Sequence, residues 1–224
     1  MLIVIEGLDG AGKSTQVKML QEYITAKGYA LEYLHFPRYE ASVYGELIGS
    51  FLRGEFGNVN QVNPKLVALL YALDRQAAAP TLNKALQEGK VVLLDRYVYS
   101  NIAYQCSKVT DMEEREKLRN WILTIEYNFY MIPKPDVNIF LDVPLSFVES
   151  RLSSARSEDS DRDYLAGKRD IHEENISFQE EVRNVYIAEC ERDAAFQRID
   201  CSASDGSMLS PKIVFEKIKA KLTL

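Results

Sequence analysis

Gly7-Leu8-Asp9-Gly10-Ala11-Gly12-Lys13-Ser14-Thr15 follows the apolar run Leu2-Ile3-Val4-Ile5 and opens an amphipathic stretch. The spacing is G-x-x-x-x-G-K-[ST] between a strand and a helix, the setting in which this pattern carries meaning. Gly7, Gly10 and Gly12 let the backbone curl so that successive N–H groups converge on phosphate oxygens. The helix that begins there adds free N–H groups and a partial positive charge. Lys13 supplies a full charge for the β- and γ-phosphates, and the Ser14 hydroxyl is placed to ligand Mg²⁺. In a plain glycine turn Lys13 would be repelled by the helix terminus unless an anion lay between them. Gly7 to Thr15 is thus expected to bind a nucleotide through its phosphates, although the stretch alone does not separate kinase, GTPase and ATPase.

Phosphoryl transfer asks a protein for positioning and positive charge more than for covalent help. Lys13, Mg²⁺ and the basic residues of the Ser153 to Arg169 stretch could serve the donor. Arg96 follows a strand that should lie beside the glycine loop, within reach of an acceptor phosphate. Asp95 ends that apolar strand, as metal-holding acids in such folds do, and a strand-end cap is its plain alternative. Asp9 lies inside the loop, where an acid disfavours phosphate unless it turns toward a metal or a sugar hydroxyl. Tyr71 and Arg75 are one helical turn apart and share a face. They could stack on a base and hydrogen-bond its carbonyl, but by spacing alone a core aromatic beside a surface arginine is the simpler reading.

The elements that must hold these residues alternate. Strands are expected at Leu2–Glu6, Ala30–Phe36, Val91–Asp95, Val137–Val143 and Phe196–Ile199. Helices are expected from Ser14 to about Ala26, Ser42 to Arg53, Asn63-Pro64 to Gly89, around Ser100 to Tyr104, Asp111 to about Tyr130, Pro144 to about Ser154, Glu173 to Arg192 and after Ser210-Pro211. Pro80 should kink or restart the third of these. The pattern predicts an α/β protein of the P-loop NTPase fold, a parallel five-stranded sheet with helices on both faces, with sites at the carboxyl ends of the strands. Ser153 to Arg169 has almost no large apolar residues and carries Arg156, Arg162, Lys168 and Arg169. It reads as a lid that orders over phosphates, or as a plain loop.

The 224 residues fit one domain, 1–224, with the lid segment 153–172 inside it. A net charge of −6 argues against a nucleic-acid surface, so phosphate-binding cations must be gathered locally. Three scattered cysteines, Cys106, Cys190 and Cys201, show no metal spacing and fit a reducing cytoplasm. The apolar start is short for a signal peptide, and no stretch is long enough for a bilayer span.

Taken together, these residues resemble the thymidylate kinase family in its bacterial type with a basic lid. The resemblance covers nearly the whole chain. It rests on the glycine loop, Phe36-Pro37-Arg38-Tyr39, Leu73-Asp74-Arg75, Asp95-Arg96-Tyr97-Val98-Tyr99-Ser100-Asn101, Pro133-Lys134-Pro135-Asp136 and Asp170-Ile171-His172-Glu173. It implies transfer of the γ-phosphoryl of ATP to dTMP, with Mg²⁺, in a homodimer packed through helices. It implies that Tyr71 stacks on thymine, Arg75 donates to O4, Asn101 meets the base near N3, and Phe36 lines the base pocket. Tyr104 would crowd C2′ of the sugar, and Arg96, helped by Arg38 or Tyr39, would hold the acceptor phosphate. Asp9 would touch the 3′-hydroxyl or the metal, with Ser14 and Asp95 as the other metal candidates. The branch with the eukaryotic enzymes carries Arg in the loop where Gly10 stands here. Transition-state charge would then come from Arg151, Arg156, Arg162 or Arg169, with Arg156 and Arg162 preferred.

The competing readings are a kinase of this fold for another (deoxy)nucleoside monophosphate, a deoxynucleoside kinase, a GTPase switch and a non-catalytic nucleotide-binding module. Deoxynucleoside kinases place Glu-Arg-Ser where Asp95-Arg96-Tyr97 stands. A GTPase would want Asn-Lys-x-Asp, and Asn83-Lys84-Ala85-Leu86 lacks the acid.

Overall fold

The computed structural model describes residues 1–41, 43–57, 61–154 and 176–223. Five parallel strands lie in the order β2-β3-β1-β4-β5, formed by β1 (Leu2–Gly7), β2 (Leu31–His35), β3 (Val91–Asp95), β4 (Val137–Asp142) and β5 (Phe196–Asp200). Strands covered on both faces should be apolar throughout. Every residue of β1 and β3 is buried accordingly, Glu6 and Asp95 included. The edge strand β2 is only half covered.

The eight α-helices of the described residues are α1 (Lys13–Ala26), α2 (Val43–Leu52), α3 (Pro64–Gln87), α4 (Val98–Cys106), α5 (Met112–Leu123), α6 (Leu145–Ser154), α7 (Ile176–Arg192) and α8 (Pro211–Lys219). One layer is α1 against β1, β2 and β3, joined by α8 against β5. The other is α3, α4 and α7, each touching strands and packed side by side. Both layers close on one large apolar core, centred on the β1 and β3 side chains. A smaller core of Ile48, Phe51, Leu52 and Val67 joins α2 to α3, and Tyr39, Leu70 and Tyr71 pack against it.

Two expectations about helices change. Pro80 does not restart a helix: α3 is continuous from Pro64 to Gln87. Proline at position 80 frees the carbonyl of Gln76, and both residues are exposed, so water can satisfy it. The expected helix from Asp111 to Tyr130 divides into α5 and a π-helical segment, Thr124–Phe129, whose Glu126 is fully buried. The Asn63 side chain accepts a hydrogen bond from the Lys65 N–H at the start of α3, with Pro64 in the first turn, as a cap and proline should be placed. Among the described residues no helix is long and apolar enough to cross a membrane.

Candidate active site

The glycine loop leaves β1 and enters α1 with Gly10 at φ 72° and Gly12 at φ 77°, left-handed conformations that a side chain would strain. Lys13 is 8% exposed and folds back on the loop, its Nζ donating to Leu8 O at 2.9 Å and Gly7 O at 3.4 Å. Burial, with the Arg96 charge nearby, brings its pKa down to about 8 against the pull of Asp95, Asp9 and Glu6. Ser14 and Thr15, by contrast, are exposed at the helix start.

Arg96 stands at the turn from β3 to α4 with φ 65°, an uncommon conformation for a residue with a side chain. The turn aims its guanidinium at the loop: Nη1 donates to Gly7 O at 2.9 Å and Ser100 Oγ at 3.2 Å, and Nη2 meets Asp9 Oδ1 at 2.5 Å. Its Cζ lies 5.3 Å from the centre of the Tyr104 ring, and the Tyr104 hydroxyl donates to Asp9 Oδ2 at 2.7 Å. Burial works against the Arg96 charge, but Tyr104, Asp9 and Asp95 raise its pKa well above the ordinary arginine value. The turn rests on Glu6, which is fully buried and accepts from Tyr97 N at 2.9 Å, Ser100 N at 3.1 Å, Tyr186 OH at 3.0 Å and the Ser100 hydroxyl. A carboxylate at the N-terminus of α4 suits the helix dipole, although burial still raises the Glu6 pKa.

Arg96, Asp9 and Tyr104 form one part of the wall of a cavity of about 500 Å³, counting its open mouth. The rest of the wall includes Phe36, Pro37, Tyr39, Leu52, Tyr71, Arg75, Ser100, Asn101 and Gln105. Of the residues expected on the acceptor side, all but Arg38 are on this wall. Arg38 is held elsewhere: its Nε donates to Asp74 Oδ1 at 3.0 Å, its Nη2 to Asp74 O at 2.8 Å, and its own N–H to Asp74 Oδ2 at 2.9 Å. Asp74 thereby ties the loop after β2 to α3. Tyr71 is half-buried and Arg75 is 2% exposed, so the pair is not a core aromatic beside a surface arginine. Both Nε and Nη2 of Arg75 donate to Glu126, at 2.6 and 2.5 Å.

Asp95 ends β3 and feels the Lys13 charge, with Oδ2 3.4 Å from His35 Nδ1. Burial would raise its pKa, but His35, Lys13 and Arg96 outweigh that and lower it. Its Oδ1 is buried without a hydrogen-bond partner. An orphaned anionic oxygen at the end of β3, the strand paired with the one that leads into the glycine loop, fits a divalent cation or its water shell. Among the described residues no group of three or more His, Cys, Asp or Glu side chains could hold a metal alone. Mg²⁺ would have to arrive with nucleotide phosphates, which is how this ion is usually held. Of the arginines considered for the transition state, Arg151 of α6 is described: a Cβ at Gly10 would lie 3.1 Å from its Cβ. Arg156, Arg162, Arg169, Asp170-Ile171-His172-Glu173 and the expected lid segment beyond residue 154 lie outside the described residues.

A family model described as thymidylate kinase matches residues 5–209. The chain belongs to the thymidylate kinase family. The thymidylate kinase of Mycobacterium tuberculosis is 35% identical over 186 residues, 83% of this chain and 84% of that one. The probable thymidylate kinase of Thermococcus onnurineus is 34% identical over 209 residues, 91% of each chain. The solved thymidylate kinase of Candida albicans superposes with a TM-score of 0.71 over 98% of this chain and 89% of its own, at 24% identity, which speaks for the shared fold.

Within this family member, the sequence reading missed the carboxylates that orient the arginines. Glu126 had a visible signal: it follows Leu118 and Ile122 at four-residue spacing, so an acid falls on the buried stripe of its helix and requires a buried partner. Asp74 had none beyond its place beside Arg75.

Proposed function

We propose that this chain is a dTMP kinase, transferring the γ-phosphoryl of ATP to dTMP to give dTDP. The observation that carries the reading is that Arg96 bonds the carbonyl of Gly7 in the phosphate loop while lining the same cavity as Tyr71, Arg75 and Asn101. One guanidinium is thereby available where an acceptor phosphate and an ATP γ-phosphate would meet, as in-line transfer requires. Tyr71 would stack on the base, with Phe36 at its edge, Arg75 donating to O4 and Asn101 facing N3. Tyr104 would crowd C2′, favouring deoxyribose. Arg96, with Tyr39 or an Arg38 released from Asp74, would hold the acceptor phosphate. Asp9 would meet the 3′-hydroxyl or the metal.

ATP would lie on Gly7 to Thr15, with Lys13 leaving the loop carbonyls for the phosphates. Ser14, Asp95 and Asp9 would hold Mg²⁺, which would supply positive charge to offset the negative charge that develops during transfer. Segment 153–172 of this single domain would close as a lid, bringing Arg156 or Arg162 to the transferred group. The working form would be a homodimer, with the exposed Val43, Leu47 and Leu66 of α2 and α3 available for a partner. The net negative charge fits small anionic substrates brought to local cations better than nucleic acid.

The test is ADP release with ATP, Mg²⁺ and a panel of dTMP, dUMP, dCMP, dGMP and AMP. Strong preference for dTMP supports the reading. No turnover, or preference for a purine monophosphate, defeats it.

A further inference from the structure

Arg75 and Asn101 are both held by one acid that the cavity wall hides. Glu126 is fully buried in the π-helical segment, a local widening common near functional sites. It takes two hydrogen bonds from Arg75, and its Oε1 also accepts from Asn101 Nδ2 at 3.0 Å. The same Nδ2 donates to Ala68 O at 2.9 Å. With the amide reversed, Asn101 Oδ1 would face a carboxylate oxygen and a carbonyl oxygen, two acceptor–acceptor contacts in a site where Asn101 is 3% exposed. Buried polar groups left without partners are costly, so the amide has one acceptable orientation. In that orientation Oδ1 is a buried oxygen left with no hydrogen-bond partner in the protein, on a residue that lines the cavity.

We infer that Glu126 is a positioning residue that makes the cavity read an imide base: by fixing the Asn101 amide it presents an acceptor, and by gripping Arg75 it presents a donor beside it. The inference rests on the pyrimidine reading above and deepens it. Thymine and uracil carry N3–H and a 4-carbonyl, the complement of that acceptor and donor. Cytosine carries an N3 lone pair and a 4-amino group, so it meets acceptor with acceptor and donor with donor. A site built to hydrogen-bond its ligand rejects an analogue of the wrong pattern strongly, because its own buried groups are left unpaired. Neither cavity shape nor the Tyr71 ring makes that distinction, since cytosine and uracil are nearly the same size.

The test is Glu126→Gln, whose amide nitrogen conflicts with one of the three donors now facing the carboxylate. Steady-state kinetics with ATP and dTMP, dUMP or dCMP should show the dTMP-to-dCMP ratio of kcat/KM falling about tenfold or more. The loss should come mainly through KM for dTMP, with the KM for ATP within about twofold of wild type. The dTMP-to-dUMP ratio should hold, because both bases are imides. Glu126→Asp keeps the buried charge while drawing it back from Arg75 and Asn101 alike; where Glu126→Gln does not fold, the same ratio in Glu126→Asp decides. A folded variant that loses dTMP, dUMP and dCMP activity in parallel, or keeps the wild-type dTMP-to-dCMP ratio, overturns the inference while leaving the kinase reading intact. A wild-type enzyme inactive on dTMP overturns both.

Discussion

Lys13→Met should abolish turnover and yet stabilise the nucleotide-free protein, by an amount that depends on pH. In the folded chain the Lys13 pKa is about 8, against an ordinary value of 10.5. Between those values the unfolded chain binds more protons than the folded one, so stability rises with pH through that window. Below pH 8 the folded protein carries the full penalty of holding a buried ammonium. That penalty is about 3 kcal/mol at pH 7 and falls to about 1.5 kcal/mol at pH 9.5. Methionine fills the same space without a charge but loses the bond to Leu8 O, worth about 1 kcal/mol. The variant should therefore be about 2 kcal/mol more stable at pH 7 and nearly level with wild type at pH 9.5. Urea unfolding of both proteins in metal-free buffer at the two pH values measures this directly, because other titrating groups cancel in the difference. A variant no more stable than wild type at pH 7, or an advantage that does not shrink with pH, would show that Lys13 is not held against its own charge.

Arg75→Ala should leave Glu126 as an unpaired buried carboxylate and lower stability by about 3–5 kcal/mol, whereas Arg75→Leu with Glu126→Leu should recover most of the loss without restoring preference for dTMP. Urea melts and the nucleotide panel read both halves, and a fully stable Arg75→Ala protein contradicts the pairing. Tyr104→Ala should admit a 2′-hydroxyl, narrowing the preference for deoxyribose about tenfold or more in kcat/KM; an unchanged preference would remove Tyr104 from the sugar site. Arg156→Ala or Arg162→Ala should lower kcat about a thousandfold, as loss of a transition-state arginine does. Losses below tenfold in both variants, measured at saturating ATP and dTMP, would move that role to another residue such as Arg151.

What could be read in the chain and what could not divides along a physical line. The apolar runs of β1, β3 and β4 announce buried parallel strands because both faces must be covered. The glycine loop is equally plain, because backbone conformation restricts its residue types. The order of the strands was not legible: β3 inserts between β1 and β2, and right-handed crossovers fit several orders. The pairing of charges was less accessible. Arg38 stood as a candidate phosphate ligand, yet Asp74 holds it by three hydrogen bonds. Arg75 stood beside Tyr71 as a possible surface residue, yet Glu126, 51 positions away, keeps it buried. Pro80 counted as a kink or a restart, and the helix does not restart there; nothing in the residue type says that its turn faces water. Long-range ion pairs leave no periodic trace, and an acid on a buried stripe is the one local sign they give.

The two arginines that face the cavity are held differently, and the difference fits their proposed tasks. Arg75 shares Glu126 with Asn101 at 2% exposure, so its carboxylate cannot leave without stranding two buried groups. Its geometry is therefore fixed before a ligand arrives, which suits the reading of a neutral base by hydrogen-bond pattern. Arg96 is partly open, and its partner Asp9 is a quarter exposed on a loop. A phosphate dianion can take the place of that carboxylate on the guanidinium, while the bond from Arg96 to Gly7 O keeps the arginine in register with the loop. Fixed pairing for a neutral ring and exchangeable pairing for an anion let a chain of net negative charge gather cations at one spot without binding anions indiscriminately elsewhere.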